Sequence, residues 1–193
     1  LADQLANIMQ INLVKRRESS VSAFYQSLLN LRQYTRNMID MWESGNIFIC
    51  PQINVNAELD RKAKEQKRGR PVSYKECLED IRTKITKLNE DGRNDNERNM
   101  EYATSDMKPE YIDLLRADYD RISELCDRWA KNTEDPKLDV FKEILKNVLF
   151  DPQKNVPQKL VVFSEAIDTV DTIKRVAEAK GYRVLKITAG NRD

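Results

Sequence analysis

Apolar side chains recur at helical spacing along much of this chain, and this periodicity limits its fold more than any other feature. The first long stretch carries Val21, Phe24, Leu28, Leu31, Met38 and Met41 at spacings of three, four and seven residues. Such spacings place the side chains on one face of an α-helix, which we expect to end near Ser44-Gly45. Ser19 or Ser20 has the hydroxyl group that commonly caps a helix start.

Further stretches carry helical signals of their own. Ser73-Tyr74-Lys75-Glu76 is a capping-box pattern that opens a second amphipathic helix. Another apolar stripe predicts a helix from about Pro109 to Lys131, and Asp135-Pro136 supplies an N-cap and a first-turn proline for the next helix. Only five of the 193 residues are glycine. We therefore expect a mainly α fold, with long helices forming a helical segment over residues 1–150.

The remaining parts of this segment give weaker signals. Residues 1–10 predict a short helix, and residues 57–70 predict a charged, exposed helix. Residues 46–56 contain a proline at position 51 and predict an extended connector. Residues 91–101 are polar and predict a loop.

The pattern changes after Pro157. Leu160-Val161-Val162-Phe163 is a short apolar run, as expected of a parallel strand that is covered on both faces. Helical spacing follows from Ala166 to Lys180, Gly181 stops that helix, and residues 182–187 are again β-rich. Residues 151–193 therefore predict a partial α/β unit of strand, helix and strand. Two strands do not complete a parallel sheet, so we expect further strands to pair with their edges.

Composition excludes several classes of protein. The chain has no histidine, and its three cysteines, Cys50, Cys77 and Cys126, are far apart. This argues against a zinc site and excludes a serine–histidine triad within the chain. No apolar run approaches the roughly 18 residues that a membrane span needs, and the start at Leu1 is no signal peptide. We expect a cytoplasmic fragment of a longer chain, without membrane contact.

Four short segments resemble one family of motor proteins. Gln158–Thr169 (QKLVVFSEAIDT) is similar to motif IV of superfamily 2 helicases, where the second RecA-like lobe begins. Asp135–Leu138 (DPKL) resembles the segment that precedes this lobe in the SWI/SNF-like branch, and Gly181–Gly190 (GYRVLKITAG) resembles the strand and turn that follow. Leu13–Ser20 (LVKRRESS), with Ala23-Phe24, is similar to a segment just after the first lobe in bacterial members. Residues 45–105 match no motif.

The resemblance implies a piece of an ATP-dependent DNA helicase or translocase, reaching from the end of the first lobe to the start of the second. Residues 1–150 would be the helical segment between the lobes, and residues 151–193 the truncated second lobe. The chain has no GxxxxGK[ST] phosphate loop and no Asp-Glu box. We therefore expect ATP and magnesium in the parent protein, with none bound by this fragment, which should be catalytically inactive. The implied partners are DNA, with RNA as an alternative, and the remaining lobes of the parent.

Local positive charge gives the first candidate nucleic-acid contacts. The 33 basic and 32 acidic residues nearly cancel, so any basic surface must be local. Lys15, Arg16 and Arg17 form one cluster before a helix. The alternative to nucleic-acid contact is that this cluster is only a solvent-exposed linker. Lys67, Arg68 and Arg70 belong to a second basic stretch, 61–70. Arg68-Gly69-Arg70-Pro71 is similar to an AT-hook core, but the sequence favours phosphate contact without base recognition over an AT-hook, and Pro71 also fits as the residue that precedes the next helix.

The second set of candidates follows from the resemblance. Ser164, Thr188 and Gly190 would lie at the carboxyl ends of the two strands, where open α/β sheets bind ligands. In the family this edge faces the nucleic-acid backbone. The alternative is that Ser164 caps the following helix and Gly190 only turns the chain.

Two other functions are consistent with the sequence. A helical protein-interaction module without motor function is the first alternative, and the balanced net charge favours it mildly. A small-molecule enzyme with another α/β fold is the second, although the chain has neither histidine nor a glycine-rich phosphate loop. Salt-sensitive DNA binding distinguishes the motor from the interaction module, because phosphate contacts release counterions.

Overall fold

The computed structural model describes residues 2–67, 73–94, 97–132 and 134–190, and these form a mainly helical protein. Seven α-helices occur in the described residues: α1 (Ala2–Ser19), α2 (Val21–Glu43), α3 (Val55–Lys67), α4 (Tyr74–Glu90), α5 (Glu110–Ala130), α6 (Pro136–Ile144) and α7 (Ile167–Ala179). Two short strands, β1 (Asn46–Ile49) and β2 (Met100–Ala103), pair antiparallel. The prediction of a mainly α fold is confirmed. None of the described helices is long and apolar enough to span a bilayer.

The chain forms two compact units. Unit 1 comprises Leu1–Asn30 and Glu124–Asp193, and unit 2 comprises Leu31–Ser123. The chain leaves unit 1 within α2 and returns to it within α5. The predicted division into a helical segment over 1–150 and a second lobe from 151 concerns domains of a longer protein, and it stays a prediction.

Unit 2 has its own hydrophobic core, to which α2, α3, α4 and β1 contribute. The buried side chains of this core are Met41, Ile47, Phe48, Leu59, Cys77, Leu78 and Ile81. Residues 46–49 form a strand rather than the predicted connector, because Ile47 and Phe48 are both buried there. β2 begins at Met100, so the predicted loop at 91–101 ends in a strand that pairs with β1.

Arg82 of α4 fixes one face of this small sheet. Its Nε donates to Glu101 Oε2 at 2.8 Å, and its Nη2 donates to Glu101 Oε1 at 2.5 Å. The guanidinium carbon also lies 5.6 Å from the centre of the Phe48 ring. Such two-pronged pairing is strong and directional, and the hydrogen bonds to Glu101 raise the pKa of Arg82 above its ordinary value.

Several predicted helix boundaries are confirmed. Ser73 and Glu76 form the capping box of α4, and Asp135 caps α6 with Pro136 in its first turn. Ser20 caps α2, since its Oγ accepts a hydrogen bond from Ala23 N at 3.0 Å. The first helix is longer than the predicted 1–10 and extends to Ser19, so it includes the basic cluster.

The predicted strand–helix–strand unit forms only in part. Its helix is α7, which ends with Gly181 at φ +86° and a hydrogen bond from Tyr182 N to Ala177 O. The strands predicted at 160–163 and 182–187 are absent, and no described backbone hydrogen bond joins the two segments. Parallel strands are stable in sheets whose two faces are covered, whereas Val161 and Phe163 are 74% and 92% exposed. The RecA-like lobe therefore stays a prediction.

Candidate nucleic-acid interface

A cleft of about 570 Å³ in unit 1 brings together residues that are far apart in the sequence. It is formed by the end of α1, the start of α6, the segment before α7 and the first turns of α7. Lys15 and Ser164, both predicted from the sequence as backbone contacts, line this cleft. Helix starts present backbone N–H groups and a partial positive charge, so the cleft contains several groups that suit an anion.

Three hydroxyl groups form a cluster in the cleft wall. Thr169 Oγ1 lies 2.8 Å from Ser19 Oγ and 2.8 Å from Ser20 Oγ. Ser20 and Thr169 are buried, whereas Ser19 is half-buried. The cluster connects the end of α1 to the first turn of α7, and it leaves Ser19 at the margin of the cleft.

Arg16 has a structural role in this arrangement. Its Nε donates to Ser27 Oγ at 2.9 Å, and its guanidinium forms an ion pair with Asp168. Both partners of the ion pair are about one-third exposed. The predicted phosphate contact by Arg16 is untested, but in this structure its guanidinium holds α7 to α1.

Arg17 faces a different partner. Its guanidinium carbon lies 5.9 Å from the centre of the Trp129 ring, within the range of a cation–π interaction. Trp129 in turn packs edge-on against Phe24, with the ring centres 4.8 Å apart. Arg17 is otherwise exposed, so it keeps N–H donors that a phosphate can reach.

Asp135 and Lys137 connect the start of α6 to the start of α2 and the end of α1. Asp135 accepts hydrogen bonds from Leu138 N at 3.1 Å and from Val21 N at 3.4 Å, so one carboxylate serves the first turns of α6 and α2. Lys137 Nζ donates to Glu18 O at 2.6 Å. Lys137 also lines the cleft, so the cleft has two ammonium groups, those of Lys15 and Lys137.

The lining of the cleft is mixed in charge and polarity. Carboxylates of Glu18, Asp135 and Glu165 accompany the two lysines. Apolar side chains complete the lining: Leu138, Phe141, Phe163 and Ile173. Such a surface suits a ligand that carries charge, hydrogen-bond donors and a flat apolar face together.

The remaining predicted residues differ in their relation to the cleft. Thr188 and Gly190 follow α7 and are not among the described lining residues of the cleft. Ser164 Oγ accepts a hydrogen bond from Ala166 N at 3.2 Å just before α7, but Ala166 is the N-cap of α7 and no side chain caps this helix. Lys67 ends α3 in unit 2. Arg68 and Arg70 lie outside the described residues.

Four cleft groups are absent from the sites that the sequence predicts: Lys137 and the hydroxyls of Ser19, Ser20 and Thr169. All four belong to the segments that carry the family resemblance, and this is the one feature of the sequence that could have identified them as site residues. Across the described ranges, no group of acidic or cysteine side chains is arranged to hold a metal ion.

Three of the four resembling segments meet at this cleft. Leu13–Ser20 contacts Gln158–Thr169 through the Arg16–Asp168 ion pair and the hydroxyl cluster. It contacts Asp135–Leu138 through the bond from Lys137 to the Glu18 carbonyl. About 120 to 150 residues separate these partners. Comparison with known proteins adds no relative: no family model matches the chain, and no curated protein or solved structure is significantly similar to it.

Proposed function

We propose that the chain is part of an ATP-dependent DNA translocase or helicase, in which unit 1 contacts the phosphate backbone and braces the motor. The observation that supports this proposal is the meeting of Leu13–Ser20, Asp135–Leu138 and Gln158–Thr169 at one cleft. Each segment resembles the same family by sequence alone. Their proximity in space is a separate observation, since sequence similarity does not require it.

The chemistry of the cleft suits contacts to phosphate. The ammonium groups of Lys15 and Lys137 act as mobile point charges, and the hydroxyl of Ser19 is a donor that a phosphate oxygen can accept from. Contacts of these kinds position a protein on a nucleic acid without reading its sequence. That property is what a translocating motor requires at every step.

Arg16 provides the bracing function. Its bonds to Ser27 and Asp168 join α1, α2 and α7. Both partners of the ion pair are only about one-third exposed, so solvent screens their attraction less than that of a fully exposed pair. We propose that this connection keeps the start of α7 in register with α1.

ATP hydrolysis belongs to the parent protein in this proposal. ATP and magnesium would bind to a phosphate loop and an Asp-Glu box, which this sequence lacks. We therefore expect no ATP turnover by the chain, with or without DNA. Stoichiometric or faster turnover in a phosphate-release assay would contradict the proposed division of roles.

DNA binding at low salt tests the proposal. Fluorescence anisotropy with a labelled oligonucleotide should show binding that Lys15→Gln and Lys137→Gln each weaken severalfold, because each variant removes one phosphate contact. Lys180→Gln is the matched control, since it removes the same charge just after the far end of α7. Binding that all three variants change equally, or no binding, would overturn the proposal.

A protein-interaction module is the second candidate, and the exposed apolar residues of α1 favour it. Ile8, Met9, Ile11 and Val14 are each about half exposed on this helix. An apolar helix surface of this extent commonly packs against another protein element. This candidate predicts salt-insensitive association with protein and no measurable affinity for DNA.

A further inference from the structure

We infer that the cleft takes a single strand with one base turned into it, rather than the continuous backbone of a duplex. This inference rests on the proposed nucleic-acid function and adds to it the form of the nucleic acid. The features that carry it are two carboxylates and an exposed aromatic ring, neither of which a surface for phosphate alone requires.

The carboxylates are the first feature. Glu18 and Glu165 line the cleft, and neither carboxylate has a partner among the described side-chain contacts. Asp135 is different, because its oxygens already accept from Leu138 N and Val21 N. Carboxylates repel phosphate at close range, but they accept hydrogen bonds from the N–H groups of bases.

The aromatic ring is the second feature. Phe163 is 92% exposed and lines the same cleft, together with Phe141. An exposed ring beside lysines is a stacking platform for a base, and stacking tolerates any sequence because every base has a flat π-face. In a duplex these faces are covered by neighbouring base pairs.

The pairing state of the bases decides between the two forms. Every base carries at least one N–H donor on its Watson–Crick edge, and in a duplex those donors are already bonded to the opposite strand. Unpaired bases can offer both the edge and the face to a protein. The volume of about 570 Å³ falls in the range of roughly 300–1,000 Å³ that accommodates small organic ligands, so a whole nucleotide fits.

The ligand therefore meets three kinds of groups in one cleft. Lys15 and Lys137 would hold phosphates on either side of the turned base. Phe163 would stack on its face, and Glu165 or Glu18 would accept from its edge. A single-stranded nucleic acid offers a partner to each of them: phosphates to the lysines, a base face to Phe163 and a base edge to a glutamate. A duplex backbone offers only the phosphates.

Anisotropy with two labelled probes tests this inference: an oligothymidylate of about 15 nucleotides, within the length that a stacking groove covers, and a duplex of equal length. We expect the single strand to bind at least about tenfold tighter. Phe163→Ala should weaken single-strand binding about tenfold, the order expected for one stacked base, and leave duplex binding unchanged. Leu185→Ala is the control, because Leu185 is 84% exposed and lies outside the cleft lining.

Glu165→Gln separates base recognition from simple repulsion. The amide keeps an acceptor oxygen but removes the charge. If Glu165 accepts from a base, the variant changes single-strand affinity by less than about threefold and leaves duplex binding unaffected. If the carboxylate only repels phosphate, the variant strengthens binding of both probes, and the inference is overturned.

The outcomes also distinguish this inference from the proposed function. Equal binding of both probes, dependent on Lys15 but independent of Phe163, would overturn the single-strand inference and leave backbone contact standing. Failure of both probes to bind would overturn the proposed function itself. Both Phe163 and Leu185 are largely exposed, so their alanine variants should fold as the wild type does.

Discussion

At the scale of single residues, Asp135 connects two helix starts and should matter to the stability of unit 1. It accepts from Leu138 N and Val21 N. Asp135→Ala removes both acceptors, so we expect a loss of about 1–2 kcal/mol in the free energy of unfolding, as for other N-cap replacements. Asp139→Ala, an exposed neighbour paired with Lys142, should cost less than about 0.5 kcal/mol. Urea unfolding checks both values, and equal losses would refute the capping role.

Arg82 should have the corresponding role in unit 2. Arg82→Met keeps an unbranched side chain of similar length but removes both bonds to Glu101, the ion pair with Glu79 and the guanidinium contact with the Phe48 ring. We expect a loss of about 1–2 kcal/mol, because hydrogen bonds between charged groups contribute more than neutral ones and partial exposure of both side chains reduces that contribution. Arg121→Met is the control, because Arg121 is 79% exposed and its ion pair with Asp118 spans 3.7 Å. Equal stability of the two variants in thermal unfolding would contradict this role of Arg82.

Cys50 gives unit 2 a dependence on alkaline pH. Burial raises the pKa of its thiol from 9.0 to about 11, although a hydrogen bond from the Met100 backbone acts in the opposite direction. The unfolded chain therefore releases this proton first, so the contribution is intact below about pH 9 and is lost as the pH rises to about 11. Burial also raises the pKa of Tyr74, but that group is common to the wild type and the variant proposed here. Cys50→Ala should flatten the fall in unfolding free energy between pH 9 and pH 11, and identical slopes would contradict this.

Short-range residue roles could be predicted from the sequence, and long-range ones could not. Ser73 with Glu76, and Asp135 before Pro136, act within one helical turn, so their spacing contains the information. Arg16 and Asp168 are separated by 152 positions. No local rule pairs them, so the local charge at Arg16 predicts a phosphate contact rather than a connection between helices.

At the scale of elements, helices were predictable because amphipathic spacing repeats over many residues in α2, α4 and α5. The four-residue strands β1 and β2 were not, since their pairing depends on contacts between residues about 55 positions apart. The strands predicted at 160–163 and 182–187 do not form, because a strong local β signal is not sufficient for a strand. Their local β signal is strong, but a parallel strand also needs covered faces, and Phe163 and Leu185 are almost fully exposed.

Hydrogen exchange distinguishes these elements. Amides in the middle of α7 should be protected, because they bond within the helix. Amides of residues 160–163 and 183–187 should exchange at nearly the rate of an unstructured peptide, since no described backbone bond protects them. Protection of the two flanking segments equal to that of α7 would show that the strand pair forms.

At the scale of the whole molecule, the resembling segments and the compact units follow the same division of the chain. Leu13–Ser20, Asp135–Leu138, Gln158–Thr169 and Gly181–Gly190 all belong to unit 1. Residues 45–105, which match no motif, all belong to unit 2. The nucleic-acid function proposed for the chain therefore resides in unit 1, while unit 2 has a separate core.

The salt dependence of DNA binding tests the central claim, backbone contact at the cleft, most directly. The logarithm of the binding constant should fall linearly with the logarithm of salt concentration, by about 0.7–0.9 per phosphate contacted. The double variant Lys15→Gln, Lys137→Gln should reduce that slope by roughly 1.4–1.8, because it removes two contacts. Lys180→Gln should leave the slope unchanged. Salt-independent binding, or a double variant with the wild-type slope, would contradict the claim.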